Sequence, residues 1–195
     1  LMHNKFCVQG SSVLTGSWNP PQKDSIPNNL VIINSTIIAQ AYQSEFNELE
    51  SGVFHKGKKG AAQVFLNGSL VKVAFCPEDD CKGLVEQTLK QAKESIHFMA
   101  YSFTENDIGS LLVEKRKNGL DVRGIFDPRK DDKDSEYPKL SEVAVVKPVH
   151  HKVFIVDQKI VIAGSANPTK AGYTRNDENL IIMYDPLVAQ RFEEE

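Results

Sequence analysis

The 195-residue chain has only three cysteines, too few for a disulfide-built scaffold. No apolar run approaches the roughly 18 residues needed to cross a bilayer, which excludes an internal membrane span. An excess of positive charge is also missing. Lys and Arg total 23 against 26 Asp and Glu, giving a net charge of −3 and a pI near 6.0. That balance argues against a basic surface that coats nucleic acid, so any grip on phosphate must come from local placement. The chain begins at Leu1 rather than Met, so the lack of a visible targeting segment carries no weight. What is present, 41% hydrophobic and 25% charged residues, is the composition of an ordinary globular protein with a sizeable core.

Cys76 and Cys81 flank the short stretch Pro77-Glu78-Asp79-Asp80. A bridge between them favours an oxidising, extracytoplasmic compartment, and two free thiols a reducing one; spacing alone leaves both open. A zinc site lacks a second pair of ligands at suitable spacing.

The informative feature is an internal repeat. Met2-His3-Asn4-Lys5-Phe6-Cys7-Val8 leads to Val13-Leu14-Thr15-Gly16-Ser17-Trp18-Asn19-Pro20. Far downstream, Val149-His150-His151-Lys152-Val153-Phe154-Ile155-Val156-Asp157 leads to Val161-Ile162-Ala163-Gly164-Ser165-Ala166-Asn167-Pro168. Asn29-Leu30-Val31-Ile32-Ile33 then answers Asn179-Leu180-Ile181-Ile182-Met183, and Ala39-Gln40 answers Ala189-Gln190. The same module occurs twice.

Between the copies the chain reads as α/β. Residues 63–75 alternate around Asn67-Gly68, a hairpin signal. Residues 82–94 are helical, 96–101 a strand, and Thr104 caps a helix that Gly119 ends. Residues 121–126 and 142–147 are further strands, with 128–138 a loop between them. This alternation predicts a mixed β-sheet flanked by helices. Nothing corresponding precedes the first copy. The expected organisation is therefore the closing half of a first repeat over 1–54, a linker over 55–62, and a complete second repeat over 63–195. The halves are pseudo-symmetric and the first is incomplete. A hairpin and a helix seldom hold a core alone, so the first copy must pack on something. An upstream half-repeat, or a homodimer, is the expected partner.

Side chains alternate along a strand, so His150 and Lys152 share one face while His151 points to the other, and His3 and Lys5 share a face likewise. That opposition argues against a metal site at His150-His151. Gly164 allows close backbone approach, while Ser165 and Asn167 bring hydroxyl and amide groups to the motif; Gly16, Ser17 and Asn19 do the same in the first copy. Ammonium and donor groups suit a phosphate oxyanion, and imidazole serves as nucleophile or acid–base group. Two such modules supply two histidines, and two lysines neutralise the non-bridging oxygens, so neither metal nor other cofactor is required.

The second copy matches the His-Lys-Asp signature of the phospholipase D superfamily, H-x-K-x4-D-x6-G-S-x-N, at every position: His150, Lys152, Asp157, Gly164, Ser165 and Asn167. Glu178 stands where that family carries a downstream acidic residue. Phe75-Cys76-Pro77, Met99-Ala100-Tyr101-Ser102-Phe103-Thr104 and Val122-Arg123-Gly124-Ile125-Phe126-Asp127 resemble its bacterial endonuclease branch. The resemblance implies two halves whose motifs meet at one site and metal-free hydrolysis of a phosphodiester through a covalent phosphohistidine. It points to His3, Lys5, Asn19, His150, Lys152, Asn167 and Glu178 as catalytic, with Ser17, Ser165 and Asp157 in support.

The first copy departs from the pattern: Gly10 falls opposite Asp157, and Asn28 opposite Glu178. His3 thus lacks a carboxylate within its own copy. Either the first motif is a weakened partner, with His150 attacking and His3 the acid, or an Asp-bearing stretch is absent from the sequence. The short join from Val146 to His150 favours the second. For substrate, DNA or RNA leads, with Trp18 a candidate base-stacking surface and Lys56, Lys58 and Lys59 a candidate phosphate track. Phospholipid is the alternative, and a catalytically weakened phosphate-binding relative the third reading.

Overall fold

The computed structural model describes residues 1–19, 26–130 and 133–195. Pro20, which closes the first Gly-Ser-x-Asn-Pro, lies outside the described residues.

The first copy forms β1 (Phe6–Gln9), β2 (Ser12–Gly16) and β3 (Leu30–Asn34), an antiparallel three-stranded sheet in that order. Helix α1 (Thr36–Glu50) follows, its N-terminus capped by the Ser35 hydroxyl accepting from the Ile38 amide. The hairpin β4 (Ala62–Leu66) and β5 (Ser69–Cys76) turns at Asn67 and Gly68, both left-handed at φ 50° and 86°, as the Asn-Gly pair predicts. Then come α2 (Cys81–Lys90), β6 (Ser95–Ala100), α3 (Asn106–Lys117), β7 (Asp121–Phe126), a 3₁₀ turn (Pro128–Lys130), α4 (Tyr137–Leu140) and β8 (Ala144–Val146). The second copy supplies β9 (Lys152–Val156), β10 (Ile160–Gly164), α5 (Lys170–Thr174), β11 (Glu178–Tyr184) and α6 (Pro186–Glu193). A large mixed sheet runs β4-β5-β11-β10-β9-β6-β7-β8, and only the β6–β7 and β7–β8 pairs are parallel.

Each face of this sheet buries a separate core. On one, Val85 and Leu89 of α2 and Ile108 and Leu112 of α3 cover Phe98, Phe154, Ile162 and Leu180. On the other lies the first copy: Val13, Ile33, Ile38 and Tyr42 pack against Val73, Phe75, Ile155, Val161 and Ile181. Tyr42 meets Phe6 and Phe75 edge-on, each with ring centroids 5.0 Å away. The support that the first copy needs comes from the sheet of the second, and not from the upstream half-repeat or homodimer expected for it, with apolar burial as the adhesive.

Several boundaries differ from the sequence reading. Helix α2 stops at Lys90 rather than Glu94, because the amides of Lys93, Glu94 and Ser95 turn to the Asp157 carboxylate instead. Glu105, not Thr104, occupies the cap position of α3; the amides of both residues donate to the Pro168 carbonyl. The 128–138 stretch contains the 3₁₀ turn and the start of α4, and β8 is shorter than 142–147. Cys76 and Cys81 are bridged, with Cα atoms 5.6 Å apart. The short join after Val146 crosses the ends of β7 and β6. Three strand spacings are about 14 Å, within reach of five extended residues.

Candidate active site

Both motifs sit at strand ends, and each copy is completed by the other. The His3 amide donates to the Asp177 carbonyl and the His150 amide to the Pro27 carbonyl, both at 2.9 Å. Asp177 and Pro27 immediately precede Glu178 and Asn28. The side chains follow the same crossed plan. His3 Nδ1 lies 2.8 Å from each Glu178 carboxylate oxygen, while His150 Nδ1 lies 2.8 Å from Asn28 Oδ1 and 3.0 Å from the Ser17 carbonyl. The carboxylate that His3 lacks in its own copy comes from the other one, a partner 175 residues away. In both rings Nδ1 donates, which leaves Nε2 as the reactive atom.

The serines hold this plan in place. Ser165 Oγ donates to Glu178 Oε2 at 2.6 Å and accepts from the Asn179 amide at 2.9 Å. Ser17 Oγ does the same with Asn28 Oδ1 at 3.2 Å and the Asn29 amide at 3.0 Å. Gly16 and Gly164 are obligatory, with φ of 148° and 138°; a Cβ there would stand 2.4 Å from the Asn29 carbonyl oxygen and 2.3 Å from that of Asn179.

The lysines are anchored alike. Lys5 Nζ donates to the His3 carbonyl at 2.8 Å and Lys152 Nζ to the His150 carbonyl at 2.7 Å, with His150 Nε2 3.3 Å away. Burial lowers Lys5 to about 8 against the pull of Glu178. Burial and then Lys5 push Lys152 well below the ordinary ammonium range. Burial and then Lys152 take His150 down to about 3, with Lys5 and Arg129 adding to it. Dehydrated cations are thus crowded around one point, and an entering phosphate anion relieves their repulsion.

Other sequence candidates fall in different places. Asn19 and Trp18, the latter 36% exposed, line a cleft of about 290 Å³ with His3, Lys5, Phe6, Leu14 and Leu30. Asn167 is half-buried, and its side-chain oxygen has no hydrogen-bond partner among the described residues. The structure does not bring Asp157 to the site: it stands beyond the far end of β9, where its carboxylate accepts from the Lys93, Glu94 and Ser95 amides at 2.8–3.1 Å. The side chains of Lys56, Lys58 and Lys59 are exposed on a segment fastened by the His55 and Gly57 amides to the carboxylates of Asp177 and Glu78. His151 points away from the site toward Glu195, Nε2 to Oε2 2.7 Å.

Sequence reasoning passed over four residues here. Asn28 was visible as the counterpart of Glu178, but its partner His150 was not. Tyr101 packs its ring 4.6 Å from the His150 ring, with Lys152, Arg129 and Lys130 all within 5.0–5.4 Å of its centroid. Arg129 is clamped by Asp127 through two bonds of 2.7 and 2.8 Å, and Asp127 also accepts from the Val149 amide. The resemblances over 99–104 and 122–127 point to this wall without giving Tyr101, Asp127 or Arg129 a role.

Two imidazoles with fixed tautomers, two buried ammonium groups and a half-buried amide form an arrangement suited to an in-line exchange at phosphorus. Residues 85–195 match the family described as "Cardiolipin synthase, PLD-like domain". The chain belongs to the phospholipase D superfamily, on its bacterial endonuclease-like branch. It is 31% identical over 137 residues to "Phospholipase D" of Rickettsia prowazekii, covering 65% of this chain and 66% of that protein. It therefore spans a little under two thirds of that relative's length. Nuc, a phospholipase D family member from Salmonella typhimurium, is 35% identical with a TM-score of 0.58, covering 65% of this chain and 90% of Nuc. Phosphatidylserine synthase from Haemophilus influenzae shares the fold over 100% of this chain and 61% of its own, at a TM-score of 0.73 and 14% identity.

Proposed function

We propose that the chain is a metal-independent phosphodiesterase that cleaves DNA or RNA through a covalent phosphohistidine. The observation that carries this reading is the crossed pairing of His3 with Glu178 and His150 with Asn28, which engages both Nδ1 atoms and leaves both Nε2 atoms for substrate beside Lys5 and Lys152. One histidine attacks phosphorus and the other gives its proton to the leaving oxygen, then takes one from water. Lys5 and Lys152 neutralise the non-bridging oxygens, and Asn19 and Asn167 add amide groups. The endonuclease-like segments favour nucleic acid. Cleavage of a fluorescent oligonucleotide should persist in excess EDTA and collapse in His150→Ala. Activity that dies on chelation, or survives that substitution, sinks the mechanism.

A second reading, a phospholipase D acting on phospholipid head groups, draws on the apolar wall that Phe6, Leu14, Trp18 and Leu30 place beside His3 and on the relative named phospholipase D. Phosphatidylcholine vesicles run beside single- and double-stranded DNA and RNA separate the two. Silence on every substrate favours a phosphate-binding relative instead.

Two further parts of the reading concern surroundings. The Cys76–Cys81 bridge favours an oxidising, extracytoplasmic compartment. The outer face of the three-stranded sheet leaves Leu30 and Ile32 exposed, which suits an upstream half-repeat or, alternatively, a homodimer. Sedimentation of the chain alone distinguishes monomer from dimer.

A further inference from the structure

We infer that Asn28 sets the direction of the reaction: by giving His150 a neutral partner where Glu178 gives His3 an anionic one, it makes His150 the nucleophile and His3 the acid. The inference rests on the phosphodiesterase reading above. Asn28 and Glu178 occupy equivalent positions, each bonded to the serine of its own motif and to the histidine of the other. The Asn28 amide is oriented by Nδ2 donating to the Ile26 carbonyl at 2.9 Å, which turns Oδ1 to His150. Its second acceptor, the Ser17 carbonyl, is also neutral. Neither acceptor can donate, so His150 carries its proton on Nδ1 and keeps the Nε2 lone pair exposed to substrate.

The charged groups facing His150 reinforce this. Lys152 on β9, Lys5 of the first motif and Arg129 of the 3₁₀ turn are all positive, and the Tyr101 ring packs 4.6 Å from the His150 ring. Asp127, near the same wall, is engaged by Arg129 and the Val149 amide. Among the described residues no carboxylate is bonded to His150, and burial together with Lys152 lowers it to about 3. A neutral ring attacks but cannot donate from Nε2. Around His3 the plan is opposite. Glu178 is fully buried and accepts from His3, Ser165 and Asn176, so the acceptor facing the His3 ring is a carboxylate rather than an amide.

The steps then balance. His150 Nε2 forms a bond to phosphorus as the phosphorus–oxygen bond to the leaving group breaks, and the His3 Nε2 proton goes to that oxygen. Water next gives a proton to His3 Nε2 and its oxygen to phosphorus, and the phosphorus–nitrogen bond breaks, returning the electron pair to His150.

The test reads the ring nitrogens of the intact chain by NMR across pH, with adduct mapping by mass spectrometry. In the wild type, His150 should stay in the neutral Nδ1–H form throughout the range above about pH 4. The isosteric Asn28→Asp should raise its midpoint by about 1–3 pH units, as a carboxylate next to a cation does. During turnover of bis(4-nitrophenyl) phosphate, quenched at alkaline pH, the phosphoryl adduct should map to His150 in the wild type and to both histidines in Asn28→Asp. A wild-type His150 that titrates near the ordinary histidine value, a midpoint unmoved by Asn28→Asp, or a wild-type adduct on His3 overturns the inference. Should no diester be hydrolysed, the phosphodiesterase reading fails while the titration still decides the role of Asn28.

Discussion

The two copies of the motif share a backbone plan but not their surroundings, and the differences follow from those surroundings. Gly10 and Asp157 occupy the same turn position, both left-handed at φ 59° and 52°. In the second copy a carboxylate there finds the amides of residues 93–95, which belong to the α/β run preceding that copy. In the first copy the turn carries glycine, which meets the backbone requirement alone. The aspartate of the His-Lys-Asp signature is thus a fastener between a motif and its own upstream half, placed well away from the reacting atoms. The acid that reaches one of the two site histidines, His3, is Glu178, and it serves the other copy.

The largest expected effects test whether the copies are equal partners. His3→Ala and His150→Ala should each lower kcat by at least about 10³-fold on oligonucleotide, despite the weaker match of the first motif. A His3→Ala enzyme within tenfold of wild type would reduce the first copy to a scaffold. Glu178→Gln comes next, because it replaces the anionic partner of His3 with a neutral amide like that of Asn28. A fall in kcat of about 10²–10⁴-fold is expected, by analogy with neutralised carboxylates behind catalytic imidazoles. Steady-state kinetics on folded protein, with thermal unfolding as the control, measures it. An unchanged kcat would mean the two copies need no electrostatic difference.

Much of this fold is legible in local chemistry. Asn67-Gly68 dictates its hairpin, and the strands read between the two copies over 63–75, 96–101, 121–126 and 142–147 fall within two residues of β4 to β8. The Gly-Ser-x-Asn repeat reveals the duplicated site because a positive-φ glycine and a serine serving two partners cannot easily be replaced. The crossed pairing is not legible, since sequence order suggests that each acid serves its own copy. A contact between His3 and Glu178 depends on how two sheets pack, which is decided by apolar residues such as Tyr42, Val73 and Phe75 far from the motif. The roles of Arg129 and Tyr101 are hidden in sequence for a similar reason: they reach His150 from two separate strand ends.

A smaller effect separates the copies by stability. Asp157→Gly gives the second turn the residue of the first and strands three amides, so it should cost about 1–3 kcal/mol in urea unfolding at neutral pH. Burial raises the Asp157 carboxyl, but bonds from Ser95, Glu94 and Lys93 outweigh that and hold it below the ordinary range. A depressed folded-state value means the contribution is complete above the unfolded value near 3.9 and is lost as pH falls through the folded one. The gap between wild type and variant should therefore narrow in acid. A gap that is constant from pH 7 to pH 2 assigns the effect to the turn backbone instead.

The smallest expected effect concerns the segment that joins the copies. Lys56, Lys58 and Lys59 stand on backbone fastened to Asp177 and Glu78, so their charges ride on a fixed rim beside the first motif rather than on a loose tether. If a nucleic-acid strand leaves the site along that rim, each lysine meets one phosphate through solvent. Replacing all three by Gln should then raise KM for a long oligonucleotide about two- to fivefold and flatten its salt dependence, with kcat held. The same triple variant should leave KM for a dinucleotide diester unchanged, because a strand that short does not reach the rim. Equal losses on both substrates would place these charges in the general field of the protein, and no loss on either would route the strand along the Arg129–Lys130 wall of the second copy.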